Sequence, residues 1–251
     1  VIGGWVVKYF VTFVCGQASA AAGSEYFNSF IGQTGQPAIW FLVFLGLTAI
    51  VVLLGVEKGI ERVSKILMPV LVVLSVVICI YTICMPGAME GVKYYFLPDF
   101  SKFSSMTVLA ALGQLFYSMS LAMGIMITYG SYMKKKDDLA KSVKQIEWFD
   151  TGIAFIAGLM IVPAVFVFSG GDQSALNAGP GLMFVTLPKV FDSMAFGGVI
   201  GAAFFLLVLF AALTSSISLM ETVVSILQDK LKWNRTVSTI TVWGGSILIG
   251  L

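Results

Sequence analysis

The chain has 251 residues, of which 58% are hydrophobic and 11% charged, and its mean hydropathy is +0.96. A soluble domain carries about 25% charged residues, so this chain cannot surround an ordinary core with a polar surface, and its apolar content excludes disorder. Fifteen Lys and Arg against thirteen Asp and Glu leave +2, which is no electrostatic footprint for nucleic acid. Three scattered cysteines, Cys15, Cys79 and Cys84, make no disulfide framework. The class that remains is an integral membrane protein.

Taken in chain order, the first element is an apolar segment from Val1 to about Val14, interrupted only by Lys8. Charge-free stretches follow at 26–56, 66–89, 103–133, 151–171, 193–220 and 236–251. A helix needs about 20 mostly apolar residues to cross a bilayer, so each stretch is read as one spanning helix with polar flanks. A β-barrel would show segments of about ten residues with alternating polarity. Ile66 to Met85 is apolar on every side instead, so the expected fold class is all-α, a polytopic transmembrane helix bundle. Cys79 and Cys84 fall in the third of these helices and are read as packing residues. The chain opens at Val1 and closes at Leu251 inside apolar runs, and it is read as an internal piece of a longer protein.

Lys and Arg set the orientation. The loops after the second, fourth and sixth segments hold Lys58, Arg62, Lys65, Lys134, Lys135, Lys136, Lys141, Lys144, Lys230, Lys232 and Arg235, eleven of the fifteen basic residues. Loops 57–65, 134–144 and 230–235 are therefore expected in the cytoplasm. The triplet Asn234-Arg235-Thr236 lies on that side and is expected to carry no glycan.

The fourth segment has its polar and small residues, Gln114, Ser118, Ser120 and Gly124, near its middle. Small residues allow close helix packing. The other reading is a discontinuous helix, whose freed backbone groups are tolerated only where they line a cavity and which transporters use to build substrate and ion sites. The sixth segment carries Thr214, Ser215, Ser216 and Ser218. Back-bonding to the carbonyl four residues earlier explains one or two such hydroxyls. Helical spacing puts Ala211, Thr214, Ser215 and Ser218 on one stripe, where a carbonyl and two hydroxyls face one spot, as a hard cation requires.

Asp150 opens the charge-free part of the fifth segment. It reads either as a helix cap or rim charge, or as an acid inside the bundle facing a cation or substrate. Glu221 closes the sixth segment and is read as a rim charge. Segment 169–192, with Asp172 and two glycine-rich turns, reads either as an ordinary loop or as a lid dipping toward the membrane. The Lys-rich loop 134–144 needs no role beyond topology. The chain has no His, no cysteine pair at metal-ligand spacing and no phosphate loop, so acyl-transfer and zinc chemistry lack their parts and no enzyme is expected.

Four blocks resemble the neurotransmitter:sodium symporters, and among them the bacterial sodium-dependent amino-acid transporters with the leucine-transporter inverted-repeat fold. Gly55-Val-Glu-Lys-Gly-Ile-Glu-Arg-Val-Ser-Lys-Ile-Leu-Met-Pro69 is similar to the loop between that family's fourth and fifth helices. Gly113-Gln-Leu-Phe-Tyr-Ser-Met-Ser-Leu121 with Thr128-Tyr-Gly-Ser-Tyr132 is similar to its broken sixth helix. Ala178-Gly-Pro-Gly-Leu-Met-Phe-Val-Thr-Leu-Pro188 is similar to its fourth extracellular loop, and Leu213-Thr-Ser-Ser-Ile-Ser-Leu-Met-Glu221 to its eighth helix. The likeness runs from the family's third helix into its ninth, and its first, second and tenth helices are absent.

The resemblance implies a sodium-coupled symporter importing an amino acid by alternating access, in the bacterial inner membrane, with sodium as coupling ion and no other cofactor. It implies one sodium site with Ala211, Thr214 and Ser215, and another with Ser118 and Asp150. It implies a substrate pocket with Tyr117, Ser118, Ser120, Met123, Ser216 and Leu219. Met123 is adaptable and favours a hydrophobic amino acid. Gly124 and Ser120 to Ala122 are the hinge candidates. The resemblance starts the fifth span near Ala140, which moves Asp150 inward and gives spans of about 1–17, 38–56, 66–85, 107–133, 140–169, 194–221 and 236–251. Where chloride-dependent members have a chloride-binding Ser, this chain has Ala154, so the charge of Asp150 is expected to replace chloride. The alternatives are a same-fold permease for another small solute or driven by protons, and a non-transporting membrane protein of the same fold.

Overall fold

The computed structural model describes residues 1–97, 100–134, 138–170 and 179–251, and among these there are helices and turns but no strand. In order they are α1 (Ile2–Val14), α2 (Ala18–Ala21), α3 (Tyr26–Ile31), α4 (Gly35–Leu53), α5 (Arg62–Ile83), α6 (Ala88–Phe96), α7 (Ser105–Ser118), α8 (Ile125–Tyr132), α9 (Leu139–Ser169), α10 (Leu187–Ser193), α11 (Gly197–Leu231) and α12 (Arg235–Gly250). Short π turns precede α5 and α10, over Val56–Glu61 and Leu182–Thr186. Lys135, Lys136, Asp172 and Ala178 lie outside the described residues, as does most of the first glycine-rich turn of segment 169–192.

Charge-free length underestimates several helices. The fifth runs back to Leu139 and the sixth on to Leu231, so Asp150, Glu221, Asp229 and Lys230 are all inside helices rather than between them. The starts follow local chemistry. Asp138 caps α9 by accepting from the Lys141 amide at 3.1 Å. Asn234 caps α12 by accepting from the Val237 amide at 2.8 Å. Ser104 and Thr107 form a reciprocal capping box at the start of α7. Apolar length and composition qualify Gly35–Leu53, Lys58–Ile83, Leu139–Ser169 and Gly197–Leu231 to cross a membrane.

The helix α1 packs against α11 and α4, α9 against α5 and α6, and α11 also against α4, α5 and α12. With lipid as solvent, this contact is driven by close fit rather than by exclusion of water. Gly4 lets the backbones of α1 and α4 meet: a Cβ there would come within 2.6–2.8 Å of Trp40 and Phe41 backbone atoms. Lys8, the odd charge in α1, lies over the Trp40 ring with its Nζ 5.7 Å from the centroid, a cation–π arrangement.

One core cluster is aromatic, with Tyr9, Phe13, Phe27, Phe184, Phe204 and Phe205 all buried. It takes in the segment before α11: Phe184, Leu187, Val190 and Phe191 are buried, and the Tyr9 hydroxyl donates to the Phe184 carbonyl at 2.9 Å. Residues 184–191 of this segment are thus packed into the bundle, while Gly170, Gly179, Pro180 and Gly181 are exposed. A second cluster joins Phe41, Leu45, Ala49 and Val52 of α4 to Ile217, Met220 and Val224 of α11.

Two expectations need correction. Cys79 is buried, but Cys84 is exposed as the residue that caps the end of α5, so only the first is a packing residue. Glu221 is no rim charge, since its exposure is 0%. Its carboxylate accepts from Arg235 Nη1 and Nη2 at 3.2 and 2.5 Å and from the Tyr132 hydroxyl at 2.7 Å. Arg235 Nε also donates to the Val52 carbonyl at 2.8 Å. The side-chain pair therefore ties α4, α8, α11 and α12 together.

Candidate functional site

The fourth apolar segment is not one helix. The helix α7 stops at Ser118; Ser120 has φ +56°, Leu121–Met123 form one 3₁₀ turn, and Gly124 has φ +73° before α8 begins. A left-handed backbone costs an L-residue about 1–2 kcal/mol, so Ser120 is held there by its surroundings. Glycine takes the same region without that cost. Gly124 also lies against α11, where a Cβ would stand 3.3 Å from Thr222 Cγ2. We expect Gly124→Ala to lower stability by about 1 kcal/mol, read as a fall in thermal midpoint of the full-length protein in detergent.

At the end of α7 the Ser118 hydroxyl donates to Asp150 Oδ1 at 2.5 Å. Asp150 is half-buried and is not the cap of α9, a role Asp138 fills. It stands about three turns inside the helix. The break and the acid thus meet, and a carboxylate joined to a hydroxyl at a helix end is a built-in negative site.

On α11 the hydroxyls do two things. Thr214 Oγ1 donates toward the carbonyls of Phe210 and Ala211 at 3.1 and 3.0 Å. Its proton is turned back along the helix, which leaves its lone pairs outward. Oxygens about 3 Å apart are close enough to share one hard cation with cation–oxygen distances of about 2.3–2.6 Å. Ser215 is exposed on the next position of the same stripe, and Leu219 is exposed one turn on. Ser218 and Thr222 also back-bond, each to the carbonyl four residues before, at 2.9 Å, so the ordinary behaviour of helical hydroxyls accounts for part of the pattern.

Ser216 points elsewhere. It accepts from the buried Thr48 hydroxyl of α4 at 3.1 Å, some 100° around the helix from Ser215. Ser120 and Met123 are half-buried in the break, and Tyr117 is 66% exposed. None of the residues of α7 is buried. No group of three or more His, Cys, Asp or Glu able to hold a metal occurs among the described residues. The donors present are carbonyls, hydroxyls and one carboxylate, a set that suits hard cations rather than soft ones.

Sequence reasoning missed the contacts that join α8 to α11. Tyr129 meets Ser218 at 2.7 Å and Tyr132 meets Glu221 at 2.7 Å. The signal was available: Tyr129 and Tyr132 are three apart on one helix, and Ser218 and Glu221 are three apart on the other, so both pairs share one face.

Residues 20–251 match the sodium:neurotransmitter symporter family. The chain is 39% identical over 243 residues to an uncharacterized sodium-dependent transporter, YhdH, of Bacillus subtilis, covering 93% of this chain and 53% of that protein. It is 35% identical over 257 residues to an uncharacterized sodium-dependent transporter of Haemophilus influenzae, covering 100% and 55%. A sodium- and chloride-dependent creatine transporter of Homo sapiens is 28% identical over 205 residues, covering 77% and 30%. Among solved structures, that of MhsT in complex with L-phenylalanine superposes with a TM-score of 0.86 at 41% identity, over 99% of this chain and 56% of that one. The chain spans about half the length of the bacterial relatives it matches.

Proposed function

The chain belongs to the sodium:neurotransmitter symporter family, and from that premise we propose that it forms part of a sodium-coupled symporter for a hydrophobic amino acid, working by alternating access. It is a segment of a multi-pass membrane protein, with helices long and apolar enough to span. The observation that carries the reading is the break between Ser118 and Gly124, placed beside an acid and a hydroxyl-bearing helix. Broken helices of this kind leave backbone dipoles for ions and substrates near the middle of the membrane.

In this reading Ala211, Thr214 and Ser215 hold one sodium, and Ser118 with Asp150 holds another. Tyr117, Ser118, Ser120, Met123 and Leu219 line the amino-acid pocket, and helices outside this chain complete it. Ser216, bonded to Thr48, serves the pocket by anchoring α11 on α4. The solved complex of MhsT with L-phenylalanine supports a hydrophobic substrate. Asp150 supplies a fixed negative charge, and Ala154 offers no hydroxyl to an anion. Transport is therefore chloride-independent, unlike that of the creatine transporters named for both ions. The distribution of basic residues puts loops 57–65, 134–144 and 230–235 in the cytoplasm, and the membrane is a bacterial inner membrane.

The test is uptake of a radiolabelled hydrophobic amino acid by the full-length protein in proteoliposomes. Replacing external sodium by choline should abolish accumulation, and replacing chloride by gluconate should leave it unchanged. Uptake that persists in choline would exclude sodium coupling, and a requirement for chloride would exclude the role given to Asp150.

A further inference from the structure

We propose that Tyr129 is a positioning residue, which ties the segment after the break to the oxygen stripe of α11 and sets how tightly that stripe holds sodium. This rests on the assignment of Ala211, Thr214 and Ser215 to the ion.

The continuity of the hydrogen bonds carries the case. Tyr129 Oη and Ser218 Oγ are 2.7 Å apart. Ser218 Oγ also lies 2.9 Å from the Thr214 carbonyl, so its hydroxyl stands between the phenol and the Thr214 peptide. Thr214 in turn sends its own hydroxyl proton to the carbonyls of Ala211 and Phe210. The result is a continuous relay: the phenol of α8 holds the Ser218 hydroxyl, which holds the peptide of Thr214, whose side chain lies against Ala211. Linked hydrogen bonds strengthen one another.

Position makes the relay mechanical. Tyr129 is the fifth residue of α8, which begins directly after the Gly124 turn. It packs against the cluster that joins α4 to α11, so the ring is held by packing as well as by the hydrogen bond. A shift of the segment at its glycine turn pulls Tyr129 from Ser218 and releases the Thr214 carbonyl. By linkage, an ion that favours the ordered stripe favours the seated segment to the same degree.

The experiment measures sodium-dependent thermal stabilisation of the full-length protein at fixed L-phenylalanine, for the native protein, Tyr129→Phe, Ser218→Ala and the double variant. A neutral hydrogen bond of ordinary strength corresponds to about a 2- to 10-fold change in the half-saturating sodium concentration. Each single variant should raise that concentration by this factor, and the double variant should raise it no further than either one. Apparent affinity for L-phenylalanine at saturating sodium should stay within about twofold, a split that mere loosening of the fold would not produce. If both single variants keep the native sodium dependence while the midpoint in choline falls, Tyr129 only packs and the inference is wrong. Additive effects would refute the relay. If the native protein shows no sodium dependence, the ion assignment itself fails and takes the inference with it.

Discussion

Arg235→Ala should destabilise the full-length protein by about 3–5 kcal/mol, the largest loss of stability from any single side chain described above. Glu221 is fully buried, and the Arg235 guanidinium is its only ionic partner among the described residues. Removing the cation leaves a charge in an apolar bundle with one phenol, from Tyr132, to solvate it. It also strips the Val52 carbonyl of the Arg235 Nε donor. Much of the penalty belongs to the stranded carboxylate rather than to the pair itself. Arg235→Ala combined with Glu221→Gln should therefore recover a large part of the loss. Thermal midpoints of the two variants in detergent, compared with the native protein, read this directly; equal midpoints for the single and double variants would contradict it.

Asp150→Asn should raise the half-saturating sodium concentration about 10- to 100-fold. The substitution keeps the shape and one acceptor for the Ser118 hydroxyl, which now lies 2.5 Å from Oδ1, and removes only the charge. A unit charge about 4 Å from a cation is worth about 4 kcal/mol at an effective dielectric constant near 20. Partial exposure and water at the mouth of the site reduce that to the range given. If Asp150 stands in for chloride, the variant should also become responsive to chloride, and the native protein should not. Sodium titrations of amino-acid uptake with chloride or gluconate as the anion separate these effects. Unaltered sodium dependence in Asp150→Asn would remove the carboxylate from the ion site.

The contrast between Asp150 and Glu221 shows what could be read before the fold was seen. Asp150 opens a charge-free run and Glu221 closes one, and hydropathy treats both as edges. The family likeness moved Asp150 inward because it supplied an earlier helix start, and α9 does start at Leu139. For Glu221 the decisive partner sits beyond the turn of Lys232 and Asn234, at the first residue of the next helix. No periodicity within one helix reports a pair made across two.

The hydroxyls of α11 teach a similar lesson. Composition revealed the cluster, but successive residues diverge by about 100°, so Ser215 and Ser216 serve different neighbours. The break in the fourth segment was legible as an excess of small and polar residues at its centre. Its location between Ser118 and Gly124 follows from which positions bear a left-handed backbone.

The most direct test is an experimental map of the full-length protein in sodium and L-phenylalanine, fine enough to place ordered ions. We expect α7 to stop at Ser118 and α8 to begin after Gly124, with a cation about 2.3–2.6 Å from the Ala211 carbonyl and the hydroxyls of Thr214 and Ser215. A helix running unbroken through Ser120, with its small residues turned to lipid and no ion on α11, would contradict the account.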